Sequence, residues 1–134
     1  MVLEWDGDGL NWTDFTSKVV GNPEPERASS FSIRGKLYQE WLELGLPSAT
    51  TYRDNGIYVS STTLKAMVDR IMWVKGSIMF TDIFGARLLK ARVQSTLINK
   101  YTTNPTIGGK YLFQIVEKLN SEDTLNELKK IEIK

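Results

Sequence analysis

The chain has 134 residues, 41% hydrophobic, 25% charged and 10% aromatic, with a net charge of +1. That length and balance suit one domain with a real core, and they exclude disorder and fibrous repeats as the class. Cysteine and histidine are both absent, which excludes disulfides, thiolate or imidazole metal sites, and any Ser-His or Cys-His nucleophile.

Residues 1–30 read as an irregular arm. Asp6, Gly7, Asp8 and Gly9 form a turn cluster. A short helix starts near Trp12, capped by Asn11 or Thr13, and the run Gly21-Asn22-Pro23-Glu24-Pro25 ends it. Trp5, Trp12 and Phe15 are large apolar groups in this polar arm, expected to plug the core or a neighbour's surface. The N-terminus shows no basic stretch leading into an apolar one, so no secretory leader is expected. No apolar run approaches membrane-spanning length, so a soluble cytoplasmic protein with no membrane partner is expected.

Residues 32–45 form the next predicted helix, with Ile33, Leu37, Trp41 and Leu44 on one face. Ser29 or Ser30 caps it, Gly45 stops it, Pro47 prevents continuation, and Gly35 weakens its first turn. A connection over 46–60 contains the turn Asp54-Asn55-Gly56. A second strong helix covers 60–75, capped by Ser60 or Ser61. It carries Leu64, Met67, Val68 and Ile71 on one face, and Met72 and Trp73 widen the stripe. Gly76-Ser77 is a kink or break.

Residues 80–101, FTDIFGARLLKARVQSTLINKY, are the longest helical run. On a continuous helix Phe84, Leu88, Ala91 and Ile98 share one side, and Leu89, Val93, Leu97 and Tyr101 fill much of the other. Two apolar faces predict a helix sandwiched at the centre of a bundle. Residues 102–109 read as a loop with Pro105 and Gly108-Gly109. Residues 110–120 read as a helix. A last helix starts at Ser121 with an acidic first turn and carries Leu125, Leu128 and Ile131. The expected fold is all-α: a single compact helical bundle of about five helices over residues 1–134, with no credible sheet and no internal repeat.

The charge is unevenly spread. Residues 1–56 carry a net of −4, residues 57–110 a net of +6, and residues 111–134 a net of −1. A basic middle between acidic flanks predicts a polyanion-facing surface. The candidate nucleic-acid-binding residues are Lys65, Arg87, Lys90, Arg92, Lys100 and Lys110, near Trp73, Tyr101 and Tyr111. Basic groups contact phosphates and aromatics stack on unpaired bases. Trp73 and Tyr101 fall close to apolar faces, so core packing is the stronger expectation for both. Backbone contact is expected first of Arg87, Lys90 and Arg92. Other motifs fail on inspection. Asp6-Gly7-Asp8-Gly9 lacks the later calcium ligands, with Leu10, Asn11 and Ser17 in their places. Gly109-Lys110 lacks the partner glycine and hydroxyl of a phosphate loop. No catalytic group, metal site or cofactor is expected, and the chain reads as a non-enzyme.

The run VSSTTLKAMVDRI, followed by RLLKARVQSTLINKY and a helix pair, resembles the small subunits of CRISPR effector complexes over roughly residues 57–134. Lys65 after Leu64 fits the basic position of some relatives. Gln94-Ser95-Thr96-Leu97 departs from the aromatic-Ala-Ala-Gly-Arg run of others. The resemblance implies a non-catalytic subunit, several copies side by side with other subunits, lying along the backbone of RNA or single-stranded DNA without reading its sequence. The alternative is a helical structural assembly protein such as a viral coat subunit. A helix-turn-helix reader is disfavoured, because the connection over 46–59 exceeds the usual turn of about 3–4 residues.

Overall fold

The structure is a computed structural model that describes residues 2–5 and 9–131. The turn cluster expected at residues 6–9 lies mostly outside the described residues. Contacts within the chain fall into two compact units, Met1–Val59 and Ser60–Lys134.

The first unit opens with α1 (Trp12–Asp14), which runs into a π-helical turn, Phe15–Val20. Asn11 is the cap: its side chain accepts the Asp14 N–H at 2.8 Å. Gly21, at φ 97°, ends the segment as its N–H donates to Thr16 O at 3.1 Å. Trp12, Phe15 and Val20 are buried. Trp5 stacks on Phe15 at 3.7 Å between ring centroids and tilts against Trp12 at 4.8 Å. The aromatics of the supposed arm therefore pack on one another and build this unit's own core.

A 3-10 turn, Pro25–Arg27, precedes α2 (Ile33–Gln39). The cap is Ser32, not Ser29 or Ser30: Ser32 Oγ accepts the Gly35 N–H at 3.2 Å. Turns carry the chain on to Gly45, at φ 72°, where Gly45 N–H donates to Leu42 O and Leu46 N–H to Trp41 O. The expected helix over 32–45 is thus cut short at Gln39, and Gly45 closes the turn that follows it, not α2 itself. The expected apolar face holds only in part, since Leu44 is exposed and the buried positions are Arg34 and Gly35.

The second unit begins with α3 (Thr63–Trp73). Thr62 caps it, accepting the Lys65 N–H at 2.8 Å. Ser60, two residues before the cap, instead donates its hydroxyl to Asp69 at 2.7 Å. Leu64 and Met67 are buried, but Met72 and Trp73 are exposed at 66% and 76%. The expected widening of the apolar stripe is thus overturned. The helix ends with them, and Gly76 turns the chain at φ 82°.

The long helix expected over 80–101 is two helices, α4 (Ile83–Lys90) and α5 (Ser95–Thr102). Arg92 stands between them at φ 64°. Arg92 N–H donates to Leu89 O at 2.9 Å and Val93 N–H to Leu88 O at 3.0 Å. These are the two bonds of a helix-ending left-handed turn, and Leu88 and Val93 both belong to the buried core, in keeping with the apolar pairing that often accompanies that motif. Because the axis turns here, a single projection of 80–101 does not hold. Phe84, Leu88, Val93, Ile98 and Tyr101 all face one core instead of two.

Asp82 caps α4, accepting from Phe84 N–H at 2.9 Å and Gly85 N–H at 3.0 Å. A Cβ on Gly85 would lie 2.1 Å from Met79 O, and one on Gly35 would lie 1.9 Å from Ser29 O. Each glycine follows its cap by three residues and the crowding carbonyl by six. The two units therefore start α2 and α4 with the same device, a capped first turn whose glycine admits a close backbone approach.

After α5, β1 (Thr106–Ile107) pairs antiparallel with β2 (Lys110–Tyr111), in the register Thr106↔Tyr111 and Ile107↔Lys110. Gly108 and Gly109, at φ 56° and 83°, make the two-residue turn. This hairpin, expected as loop, makes the fold mostly helical and not purely all-α. Strands of two residues leave too little alternation to be read. The helix expected over 110–120 shrinks to α6 (Leu112–Ile115), and α7 (Ser121–Lys130) follows as expected. The core of this unit gathers Leu64, Met67, Phe84, Leu88, Ile98, Tyr101, Leu112, Val116, Leu125 and Leu128.

Gly85→Ala should destabilise the protein by about 1–3 kcal/mol, as overpacking does, whereas Ala86→Gly at the exposed neighbour should cost only about 1 kcal/mol. Urea unfolding of both variants measures the difference.

Candidate nucleic-acid interface

The six expected contact residues divide by what holds them. Lys65 sits in the first turn of α3 and pairs with Asp69 at 2.7 Å. Arg87, on α4, pairs with Glu122 in the first turn of α7. Both charges are answered within the protein, so these two lose weight as phosphate contacts. Lys90 ends α4 exposed, and Lys110 lies exposed on β2 beside the exposed Tyr111. Arg92 is exposed at the left-handed turn, and Lys100 is exposed in the last turn of α5.

Arg92 and Lys100 line one open groove of about 580 Å³ between the turn after α4, α5 and the end of α7, and Lys129 of α7 joins them. Gln94 and Thr96 add polar groups, while Leu97 and Leu128 supply an apolar floor. Among the described residues, no carboxylate lines this groove. Among the described residues, no ion pair engages Arg92, Lys100 or Lys129. Lys65, Arg87, Lys90 and Lys110 are not part of the wall. Lys129 escaped the sequence reading because it belongs to a segment with a net negative charge. The helical period was the available signal: Lys129 lies four residues after Leu125 and one after Leu128, at the margin of the buried face of α7.

Lys90, Lys100, Lys129 and Lys130 also occupy last helical turns, where the backbone dipole favours a cation. That structural role accounts for a lysine at each position. It does not account for Arg92, which sits beyond the helix in a conformation costing roughly 1–2 kcal/mol for a residue other than glycine.

The aromatics are sorted differently from expectation. Tyr101 is buried as expected, and its hydroxyl donates to Leu128 O at 2.9 Å. It tethers α5 to α7 from below the groove and offers no face for stacking. Trp73, expected in the core, is exposed at 76%, because α3 ends with its last apolar residues turned to solvent.

No family model, curated protein or solved structure matches this chain.

Burial raises the Tyr101 phenol above its ordinary value of 10.0. The unfolded phenol therefore loses its proton first as pH rises. The stability linked to Tyr101 is fully present below about pH 10 and is lost as pH climbs through the folded value. Tyr101→Phe should cost about 1 kcal/mol at neutral pH and should flatten the alkaline loss of stability. Melting curves collected from neutral to alkaline pH test both effects.

Proposed function

We propose that the chain is a non-catalytic cytoplasmic subunit that binds the sugar-phosphate backbone of RNA or single-stranded DNA. One observation carries this reading. The groove between the α4–α5 turn, α5 and α7 gathers Arg92, Lys100 and Lys129 and, among the described residues, has no carboxylate on its wall and no ion pair to answer them. Three such cations in an open polar groove suit a chain of phosphates, since each phosphate neutralised releases condensed counterions. Contact of this kind with phosphates positions a strand without reading it. Lys90 and Lys110 extend the basic character of the same unit. The resemblance of residues 57–134 to small subunits of CRISPR effector complexes supplies the setting: several copies beside other subunits, lying along a guide-bound or displaced strand.

A second reading, a helical structural assembly protein such as a viral coat subunit, draws on a different observation. Met72, Trp73, Ile78, Phe80 and Ile83 are all exposed within one short stretch of chain, and exposed apolar surface marks association. Light scattering of the isolated chain separates the two readings. Large assemblies without nucleic acid or partner proteins favour the coat subunit.

For the backbone-binding reading, the logarithm of the affinity for single-stranded RNA should fall with the logarithm of salt concentration. The slope should lose roughly 0.7 for each groove cation removed. Arg92→Gly, Lys100→Gln and Lys129→Gln together should abolish most of the dependence, while Lys65→Gln and Arg87→Gln change it little. Filter binding over a salt series measures this, and a slope unchanged in the triple variant rejects the groove. Arg92→Gly by itself should weaken binding while raising stability by about 0.5–1 kcal/mol. A residue kept only for the fold would not separate the two quantities in that direction.

A further inference from the structure

The first unit holds a buried cation with no ion-pair partner among the described residues. Arg34, in the first turn of α2, is 9% exposed. One Nη donates to Gly21 O at 2.8 Å and the other to Ile57 O at 3.1 Å. Its Nε–H is buried and has no acceptor. A guanidinium carries five N–H donors, and among the described residues two carbonyls accept from it. Among the described residues no carboxylate forms an ion pair with it. The two carbonyls orient the guanidinium but supply no net negative charge. A cation withdrawn from water in this way costs several kcal/mol unless an anion answers it.

Arg34 lines an open cleft of about 530 Å³ formed with the turn over residues 53–59. Arg53 stands on the same wall, exposed and without an ion pair among the described residues. Asp54 is the one carboxylate there among the described residues, so the described wall is net positive inside a unit whose sequence, residues 1–56, carries −4. Asn55 donates to Pro23 O and Tyr52 O, which holds the turn in place. The exposed ring of Tyr58 flanks the cleft.

We propose that this cleft is an oxyanion site that takes a phosphate group between Arg34 and Arg53. The planar fork of a guanidinium matches two oxygens of one phosphate, and a dianion outweighs the charge of Asp54. The buried Arg34 fixes the position and the exposed Arg53 closes over it. The site belongs to the acidic unit, separate from the cationic groove of the second unit, and the two stand or fall independently. The phosphate is either free inorganic phosphate or the phosphate of a nucleotide, whose base would lie against Tyr58.

The test uses the full chain labelled with nitrogen-15. Its amide and arginine Nε–H resonances are followed during titration with inorganic phosphate, with a nucleoside monophosphate, and with chloride at matched ionic strength. Saturable shifts of the Arg34 Nε–H and of the amides of residues 53–59 are expected with inorganic phosphate and not with chloride. Tighter binding of the nucleoside monophosphate identifies a nucleotide site; equal binding identifies free phosphate. Arg34 variants lose the ties to Gly21 and Ile57 and risk unfolding, so Arg53→Gln is the decisive variant. It should weaken phosphate binding about tenfold, while Arg92→Gly with Lys100→Gln and Lys129→Gln should leave it unchanged. The proposal is overturned by the absence of a saturable shift, by an equal response to chloride, or by an Arg53→Gln titration that matches the parent.

Discussion

Between Leu88 and Val93 the chain closes two hydrogen bonds, from Arg92 N–H to Leu89 O and from Val93 N–H to Leu88 O, and the second unit depends on them. They end α4 and swing the axis so that α5 shares its core. Without the turn, Phe84 and Leu88 would face one way and Val93 and Tyr101 the other, as on any straight amphipathic helix. With it, one buried cluster is enough. The same turn puts Arg92 on the rim between α5 and α7, beside Lys100 and Lys129. The fold and the groove are thus two consequences of one local conformation. At Gly45 the first unit closes the same pair of bonds with glycine, where a left-handed residue costs little. At position 92 an arginine bears the cost, and this is where a purely structural account is weakest.

The starts of α2 and α4 show a second shared constraint. Ser32 with Gly35 and Asp82 with Gly85 fix a first turn against a backbone carbonyl six residues upstream. A side chain at either glycine would collide with that carbonyl, so the approach of the incoming chain is set by backbone atoms. Asp82 adds a charge, buried at 5% and 3.9 Å from Arg70. In both units the cap is tied to packing, not only to helix initiation.

Much of this was legible in the sequence, and the gaps have physical causes. The helices α3 and α7 and most core leucines followed from periodicity, because burial on one face leaves a repeat in the chain. The left-handed turns at Gly45 and Gly76 followed from glycine, although α2 and α3 end before them, at Gln39 and Trp73. The break at Arg92 did not, since every residue from Ala86 to Lys90 favours a helix and no glycine or proline marks the turn. Gly35 was read as a weakness because propensity sees its entropy and not the carbonyl packed against it. The hairpin was missed since its strands hold two residues each. As for the site, Arg92 and Lys100 were foreseen from charge, but Lys65 and Arg87 were counted without their partners Asp69 and Glu122, which come from four residues and from a distant helix respectively. Lys129 was hidden by averaging charge over an acidic segment. Arg34 drew no notice in the sequence, because neither periodicity nor charge counting reveals that it is buried without an ion pair among the described residues.

The central claim is that a left-handed arginine divides residues 80–101 and thereby builds the cationic groove. Backbone chemical shifts and three-bond couplings across residues 83–102 of the full chain test it most directly. Two runs of helical shifts separated at residues 91–94, with a coupling at Arg92 diagnostic of positive φ, is the predicted result. An unbroken helical run through Arg92 would contradict it, removing both the shared core and the groove.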